Sequence, residues 1–296
     1  MPTALVTGAT SGIGRAFAER LARTGHDLVL VARTRDVLHR QAETLSSGNG
    51  IHAETLPADL STTEGCRVVE HRLTTGKPID LLVNNAGIAL DKPFPHNSIA
   101  AEERLLDVNV RAVLRLTHAA LPGMIERRSG HVVNVASFTA LGPGGLATTY
   151  PAGKSWVLTF TESIGRSAHV RESGVRIMAL LPGFTRTELF DRSGIDLANL
   201  PEWTWLRADR VVATAMRDLA RGRFVSVPSL RYKVAAWGLR HLPRPLLLPL
   251  AWDFSSPGRY WTGARRRDMP EDPRPDAAPA GGASRPSPNE PDSEGT

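Results

Sequence analysis

The sequence predicts an α/β protein organised on a doubly wound parallel sheet, a single domain followed by a C-terminal extension. Short aliphatic or β-branched runs recur through the first 228 residues, several of them apolar at consecutive positions, as strands covered on both faces are. Helix-period patterns separate them, and repeated strand–helix alternation signals parallel strands joined by crossover helices. A glycine-rich turn follows the first run directly.

The elements follow in order. Strand runs lie at 4–6, 28–32, 81–83, 132–135, 175–181 and 224–227, and Ile51, Ala53 and Thr55 add a weaker alternating strand. Ile13, Phe17 and Leu21 recur every fourth position, with Gly25 as a stop. Val37, Leu38, Ala42 and Leu45 mark a second helix, residues 102–125 a long third, and a fourth follows Thr148.

Composition excludes several classes. Of 296 residues 41% are hydrophobic, enough for a sizeable core, so whole-chain disorder is excluded. No apolar run approaches the ~18 residues that would cross a bilayer. The single cysteine, Cys66, permits neither an intrachain disulfide nor a cysteine-rich metal site. The nine histidines show no H-x-x-x-H pair, so no metal site is expected. Ala4, Leu5 and Val6 run straight into the turn, without the cationic and long apolar stretches of a secretory leader, which points to a cytoplasmic protein.

The first strand leads into Thr7-Gly8-Ala9-Thr10-Ser11-Gly12-Ile13-Gly14. Strand, glycine-rich turn and helix is the arrangement that binds a pyrophosphate, because missing side chains admit the phosphates and the helix N-terminus offers unpaired N–H groups. A glycine-rich turn alone is also ordinary loop sequence. The second strand ends in Ala32 and then Arg33, where a carboxylate would bind the ribose hydroxyls of NAD. A guanidinium there suits the 2′-phosphate of NADP, so NADPH is expected over NADH. The plain alternative is a solvated arginine.

Tyr150 and Lys154 stand four apart on a predicted helix and share one face. Ser137 closes the strand at 131–136, at the edge where a parallel sheet presents functional groups. Asn84-Asn85-Ala86-Gly87 follows the strand at 79–83 in the same way, and Asn109 lies inside the long third helix. With Asp59-Leu60 and Pro182-Gly183, these elements fall in an order that resembles the short-chain dehydrogenase/reductase family, in its compact single-domain branch with TGxxxGxG and YxxxK motifs, over residues 3 to about 228.

The resemblance implies a Rossmann-like sheet and a set of roles. Gly8, Gly12 and Gly14, with Ser11 and Ile13 between them, would hold the pyrophosphate. Asp59 and Leu60 would meet the adenine. Asn85 would steady the central strand, and Ala86 and Gly87 would line the passing cofactor. Tyr150 would be general acid in reduction and general base in oxidation. Ser137 would bind the carbonyl, Lys154 the nicotinamide ribose, and Asn109 a water of the proton relay. Pro182, Gly183, Thr185 and Thr187 would sit against the nicotinamide. A nearby ammonium favours tyrosinate, so Lys154 is expected to lower the pKa of Tyr150 from about 10. Two departures stand out. Pro151 follows the tyrosine, which places the helix start close to Thr148 or Thr149, and Gly153 precedes the lysine, which weakens the helix by up to ~1 kcal/mol.

Residues 188–210 occupy the position of the family's substrate-covering segment. They include Leu189, Phe190, Ile195, Leu197, Leu200, Trp203, Trp205 and Leu206. Such a lid fits an apolar carbonyl or alcohol, or simply packs on its own sheet.

The expected layout is a catalytic domain at 1–228, a basic, aromatic extension at 229–263 and a disordered Pro-rich tail at 264–296. The tail has seven prolines and no Leu, Ile, Val or Phe. The net charge of +6 divides into +4 for 1–228, +7 for 229–267 and −5 for 268–296, so basicity belongs to the extension. That extension reads as packing over the active-site end or a subunit contact, ahead of membrane-surface contact and then nucleic acid. The sequence therefore predicts an NADP-dependent oxidoreductase acting on a small-molecule carbonyl or alcohol, as a homodimer or tetramer, without nucleic acid. The rival from another class is a non-catalytic NADP-binding sensor or scaffold working through the extension.

Overall fold

The computed structural model describes residues 1–142, 146–195, 197 and 200–243. The proposed tail at 264–296, and the extension beyond 243, lie outside the described residues.

Seven parallel strands form one sheet in the order β3-β2-β1-β4-β5-β6-β7. They are β1 (Thr3–Thr7), β2 (Asp27–Ala32), β3 (Ala53–Pro57), β4 (Leu81–Asn84), β5 (His131–Val135), β6 (Arg176–Leu180) and β7 (Val225–Ser226). Each expected strand run falls within or overlaps one of these. β1, β4 and most of β2, β5 and β6 are buried at every position, which is why their sequences are apolar without alternation. The Rossmann-like α/β fold is as expected.

Helices cover both faces. α1 (Gly12–Arg23), α2 (Arg35–Asn49) and α9 (Ala208–Ala220) pack on one side around Phe17, Leu21, Leu38, Val211 and Val212. α3 (Thr63–Thr74) and α5 (Ala112–Glu126) pack on the other around Cys66, Val69, Leu116 and Met124. α6 (Tyr150–Arg166) adds Val157 and Leu158. The remaining helices are α4 (Ile99–Leu106), α7 (Ala168–Glu172), α8 (Glu188–Ser193) and α10 (Leu230–His241).

The expected third helix differs in an instructive way. It is α4 and α5 joined by a π-helical turn, Asp107–Arg111, and Asn109 sits in that turn. Such one-turn widenings of α-helices occur frequently at functional sites. α6 begins at Tyr150 with Thr149 as its N-cap, as Pro151 requires.

Candidate active site

Strand order reverses between β1 and β4, with β2 and β3 on one side and β5 to β7 on the other. Open parallel sheets bind ligands in the crevice at such a switch point, beyond the C-terminal ends of the strands. The glycine-rich turn lies there. Gly8 has φ 64°, and a Cβ on it would fall 2.9 Å from Asn85 Nδ2. A Cβ on Gly14 would fall 2.2 Å from the Gly8 carbonyl oxygen. Asn85 Nδ2 donates to the carbonyls of Thr7 at 3.0 Å and Gly8 at 3.3 Å. The backbone N–H groups of Asn85 and Ala86 donate to Thr7 Oγ1 at 2.9 and 3.0 Å. The two crevice walls are thus stitched together, and Ile13 anchors the turn on the core.

The α1 N-terminus holds an anion of the protein's own. Gly12 N–H donates to Glu188 Oε2 at 2.9 Å, while Arg15 pairs with Glu188 Oε1 at 3.2 Å. The Ser11 hydroxyl accepts from Arg192 at 3.2 Å, and the Thr187 side chain closes over Gly12. A carboxylate seated on this N–H is a stand-in for a phosphate oxygen, so the residues present fit a dinucleotide pyrophosphate.

Arg33 is exposed just past β2, and its charge reaches Asp59. Asp59 accepts from the Ser61 backbone at 3.0 Å, from the Ser61 hydroxyl at 2.8 Å and from Arg104 at 3.1 Å. Partial burial pushes its pKa up, but the Ser61 hydrogen bonds and the arginine charges outweigh it and hold the carboxyl below its ordinary value. Leu60 is buried beside it.

On the far wall, the other groups singled out in the sequence converge. Ser137 follows β5, and its hydroxyl accepts from Thr139 N–H at 3.2 Å and Thr139 Oγ1 at 2.9 Å. Tyr150 opens α6, buried, with its hydroxyl hydrogen-bonded to Ser137. Lys154 lies one turn on, buried, and its Nζ donates to the Val135 carbonyl at 2.9 Å. That nitrogen stands 5.7 Å from the Tyr150 ring centroid. Asn109 accepts from Ile88 N–H at 2.9 Å and donates to Ile88 O at 2.8 Å, which ties the π turn to the segment after β4. A Cβ on Gly87 would lie 3.1 Å from Asn109 Oδ1 and 3.5 Å from Lys154 Nζ, so the three are neighbours. Gly153 has its reason here as well: a Cβ would press to 3.2 Å from Val110, on the same π turn.

The electrostatics correct one expectation. Burial pushes Tyr150 up to about 12, with the Ser137 hydrogen bond pulling weakly the other way. Burial pushes Lys154 down to about 8. Lys154 therefore does not lower the tyrosine here; withdrawal from water penalises both charged forms.

The turn after β6 completes the rim. Pro182 O accepts from Phe138 N–H at 2.9 Å, and Thr185 Oγ1 donates to Gly183 O at 2.9 Å. Above it the lid packs with Tyr150. Leu105, Ile195, Leu197 and Leu200 form a buried cluster joined by Phe184, Phe190 and Trp205.

Three side chains that sequence reasoning passed over shape this region. Besides Glu188, Glu102 is buried and accepts from Thr149 N–H at 3.1 Å and Thr149 Oγ1 at 2.6 Å, fixing the start of α6. Tyr232 of α10 bonds to the turn after β6. Among the described residues, no helix is long and apolar enough to cross a membrane.

Comparisons with known proteins agree with this geometry. The family model for short chain dehydrogenases matches residues 2–197. A very-long-chain 3-oxoacyl-CoA reductase of Danio rerio is 33% identical over 190 residues, 63% of this chain and 60% of that protein. An uncharacterized oxidoreductase of Staphylococcus saprophyticus is 34% identical over 63% of this chain and 79% of its own length. Among solved structures, a short-chain dehydrogenase from Sphingobium yanoikuyae in complex with NADPH aligns at TM-score 0.75 and 33% identity, covering 92% of this chain and 99% of that one. A bulky-bulky ketone specific alcohol dehydrogenase from Comamonas testosteroni aligns at TM-score 0.69 and 30% identity, covering 82% and 99%.

Proposed function

This chain belongs to the short-chain dehydrogenase family and is an oxidoreductase, and from that premise we propose that it reduces an apolar ketone or aldehyde with NADPH, Tyr150 serving as general acid. The observation that carries the reading is the convergence of Ser137, Tyr150 and Lys154 on one buried wall of the crevice. The dinucleotide supplies the hydride when bound.

The chain's own residues do the rest. Ser137 and Tyr150 present two hydroxyls that hydrogen-bond a carbonyl oxygen. A phenol held at a pKa of about 12 is a protonated donor at neutral pH, suited to give its proton to that oxygen in reduction. Lys154 keeps its ammonium below about pH 8 and stands behind the Tyr150 ring, where its charge offsets the negative charge left on the phenol. Asn109 fixes the Ile88 backbone on the approach to that lysine. The apolar cluster of the lid excludes water and favours an apolar substrate. Arg33, exposed at the end of β2, supports NADPH over NADH.

The same reading takes 1–228 as the catalytic domain, a homodimer or tetramer as the assembly and the cytoplasm as the compartment. The sensor alternative is not favoured, since the relatives are named reductases and dehydrogenases. The direct test follows NADPH absorbance against a panel of bulky ketones and 3-oxoacyl thioesters. Turnover in the wild type and none in Tyr150→Phe is the expected outcome; NADPH binding with no turnover on any carbonyl would sink the proposal.

A further inference from the structure

We propose that Tyr232, on the helix that opens the C-terminal extension, is a positioning residue that fixes the turn after β6 and the lid in a single geometry beside the catalytic groups. The proposal rests on the function proposed above for that site.

One hydroxyl joins two backbone segments that meet at the crevice. Tyr232 OH accepts from Phe184 N–H at 3.0 Å, in the turn after β6, and donates to Thr204 O at 2.9 Å, in the lid's short 3-10 turn Glu202–Thr204. The two segments are paired beside it. Leu206 N–H donates to Phe184 O at 2.7 Å, Arg186 N–H donates to Leu206 O at 3.0 Å, and Thr185 bridges Leu206 in parallel. The tyrosine therefore closes one end of a small backbone ladder that carries Gly183 and Thr185 on one side and the lid on the other.

The ring is as closely fitted as the hydroxyl. A Cβ on Gly183 would fall 2.1 to 2.4 Å from three of the ring carbons, so the tyrosine lies flat against the backbone where a side chain is missing. On its other side it meets Phe138 edge-on, with centroids 5.0 Å apart and planes at 71°. Phe138 follows Ser137 directly and its N–H holds Pro182 O at 2.9 Å. Three segments of the rim, those after β5, after β6 and in the lid, thus converge on one side chain.

The rest of α10 does not share this role. Leu230, Val234 and Trp237 point outward at 78%, 64% and 61% exposure, and Ala236 is the helix's buried residue. A helix that served only as packing would turn a broader apolar stripe inward. The contact made by α10 is instead concentrated in a bridging hydroxyl and a ring on the functional rim. Displacement of catalytic geometry by about 1 Å costs up to ~10²-fold in rate, so a residue that sets a backbone turn can act at a distance from the reacting atoms.

The test uses the full chain with Tyr232→Phe, which keeps the ring and removes the bridge. NADPH is titrated by its own nicotinamide emission, kcat and KM are measured per NADPH-binding site on the best ketone of the panel, and amide hydrogen exchange is followed in peptides covering 182–206 and 3–14. The expected result is an NADPH dissociation constant within about 2-fold of wild type, since the glycine-rich turn is untouched, with altered nicotinamide emission and kcat lower by about 10-fold. Exchange should quicken in 182–206 and not in 3–14. Wild-type emission, kcat and exchange in the variant would overturn the proposal, and so would a lower melting temperature with unchanged kcat per site, which marks plain packing. Should the variant not fold, fast exchange of the Phe184 amide in the wild type would overturn it equally. A wild type that binds NADPH and turns over no carbonyl overturns the function proposed above; emission and exchange then still decide whether Tyr232 holds the rim.

Discussion

The two walls of the crevice are built by opposite means. The wall formed by β1, the glycine-rich turn and α1 is made of absences: a single methyl on Gly14 would collide with the Gly8 carbonyl at 2.2 Å. The wall formed by β5, α6 and the π turn is made of polar side chains driven into the interior, where Asn109 is fully buried and Lys154 nearly so. The first wall offers an approach to backbone N–H groups and asks little of side-chain chemistry. The second takes two ionisable groups out of water and shifts both. Binding and chemistry can therefore be lost separately, and substitutions on each wall should show it.

The largest effect is expected on the second wall. Tyr150→Phe should lower kcat by ~10²–10⁴-fold, the usual worth of a positioned proton donor, and leave the NADPH dissociation constant nearly unchanged. A parallel loss of cofactor binding would mean that the walls are not separable.

Lys154 should declare itself in stability. Its side chain titrates near 8 when folded against 10.5 when free, so between those values the unfolded chain binds more protons and stability rises with pH. Tyr150, near 12 when folded against 10.0 when free, opposes this only above pH 10. From pH 8 to 10 the wild type should gain about 2–3 kcal/mol relative to Lys154→Met in denaturant melts, at about 1.4 kcal/mol per pKa unit. Parallel pH profiles would show that the lysine is not strained by burial.

On the first wall the effects should be on affinity. Arg33→Ala should weaken NADPH by about 10-fold and leave NADH unaffected, as expected for one charge-assisted contact to a 2′-phosphate. An equal effect on both cofactors would remove the argument for NADPH. The smallest change should come from Glu188→Gln. Taking the carboxylate charge off Gly12 N–H and Arg15 should tighten NADPH binding by a few-fold, about 0.3–1 kcal/mol at a helix N-terminus. Weaker binding in that variant would mean that Glu188 assists the cofactor instead of competing with it.

The two walls also differed in how far they could be read from the chain. Strands β1, β2, β4, β5 and β6 announce themselves because both faces are buried and their residues are uniformly apolar. α3 does not; its inward face amounts to Gly65, Cys66 and Val69, too thin a stripe to separate from loop. The motif residues were legible because residue type and local spacing specify them. Glu102, Glu188 and Tyr232 were not, since each reaches its partner across 47, 176 and 48 positions and carries no local signature. The pKa of Tyr150 was misjudged for a related reason: the approach of Lys154 is a matter of spacing, whereas the depth of both side chains is a property of the finished core.

The π turn at Asp107–Arg111 also bears on how this chain tolerates change. One surplus residue there resets the angular phase of everything downstream. Glu102 and Leu105 face inward before it, while Val113, Leu116, Thr117 and Ala120 face inward after it. Deleting a single residue to leave a regular helix would rotate α5 by about 100° and carry those four off the sheet. The local irregularity beside Lys154 is thus held in place by the hydrophobic core, whose alignment depends on it, and single-residue deletions between 107 and 111 should be the least tolerated length changes in the long helix.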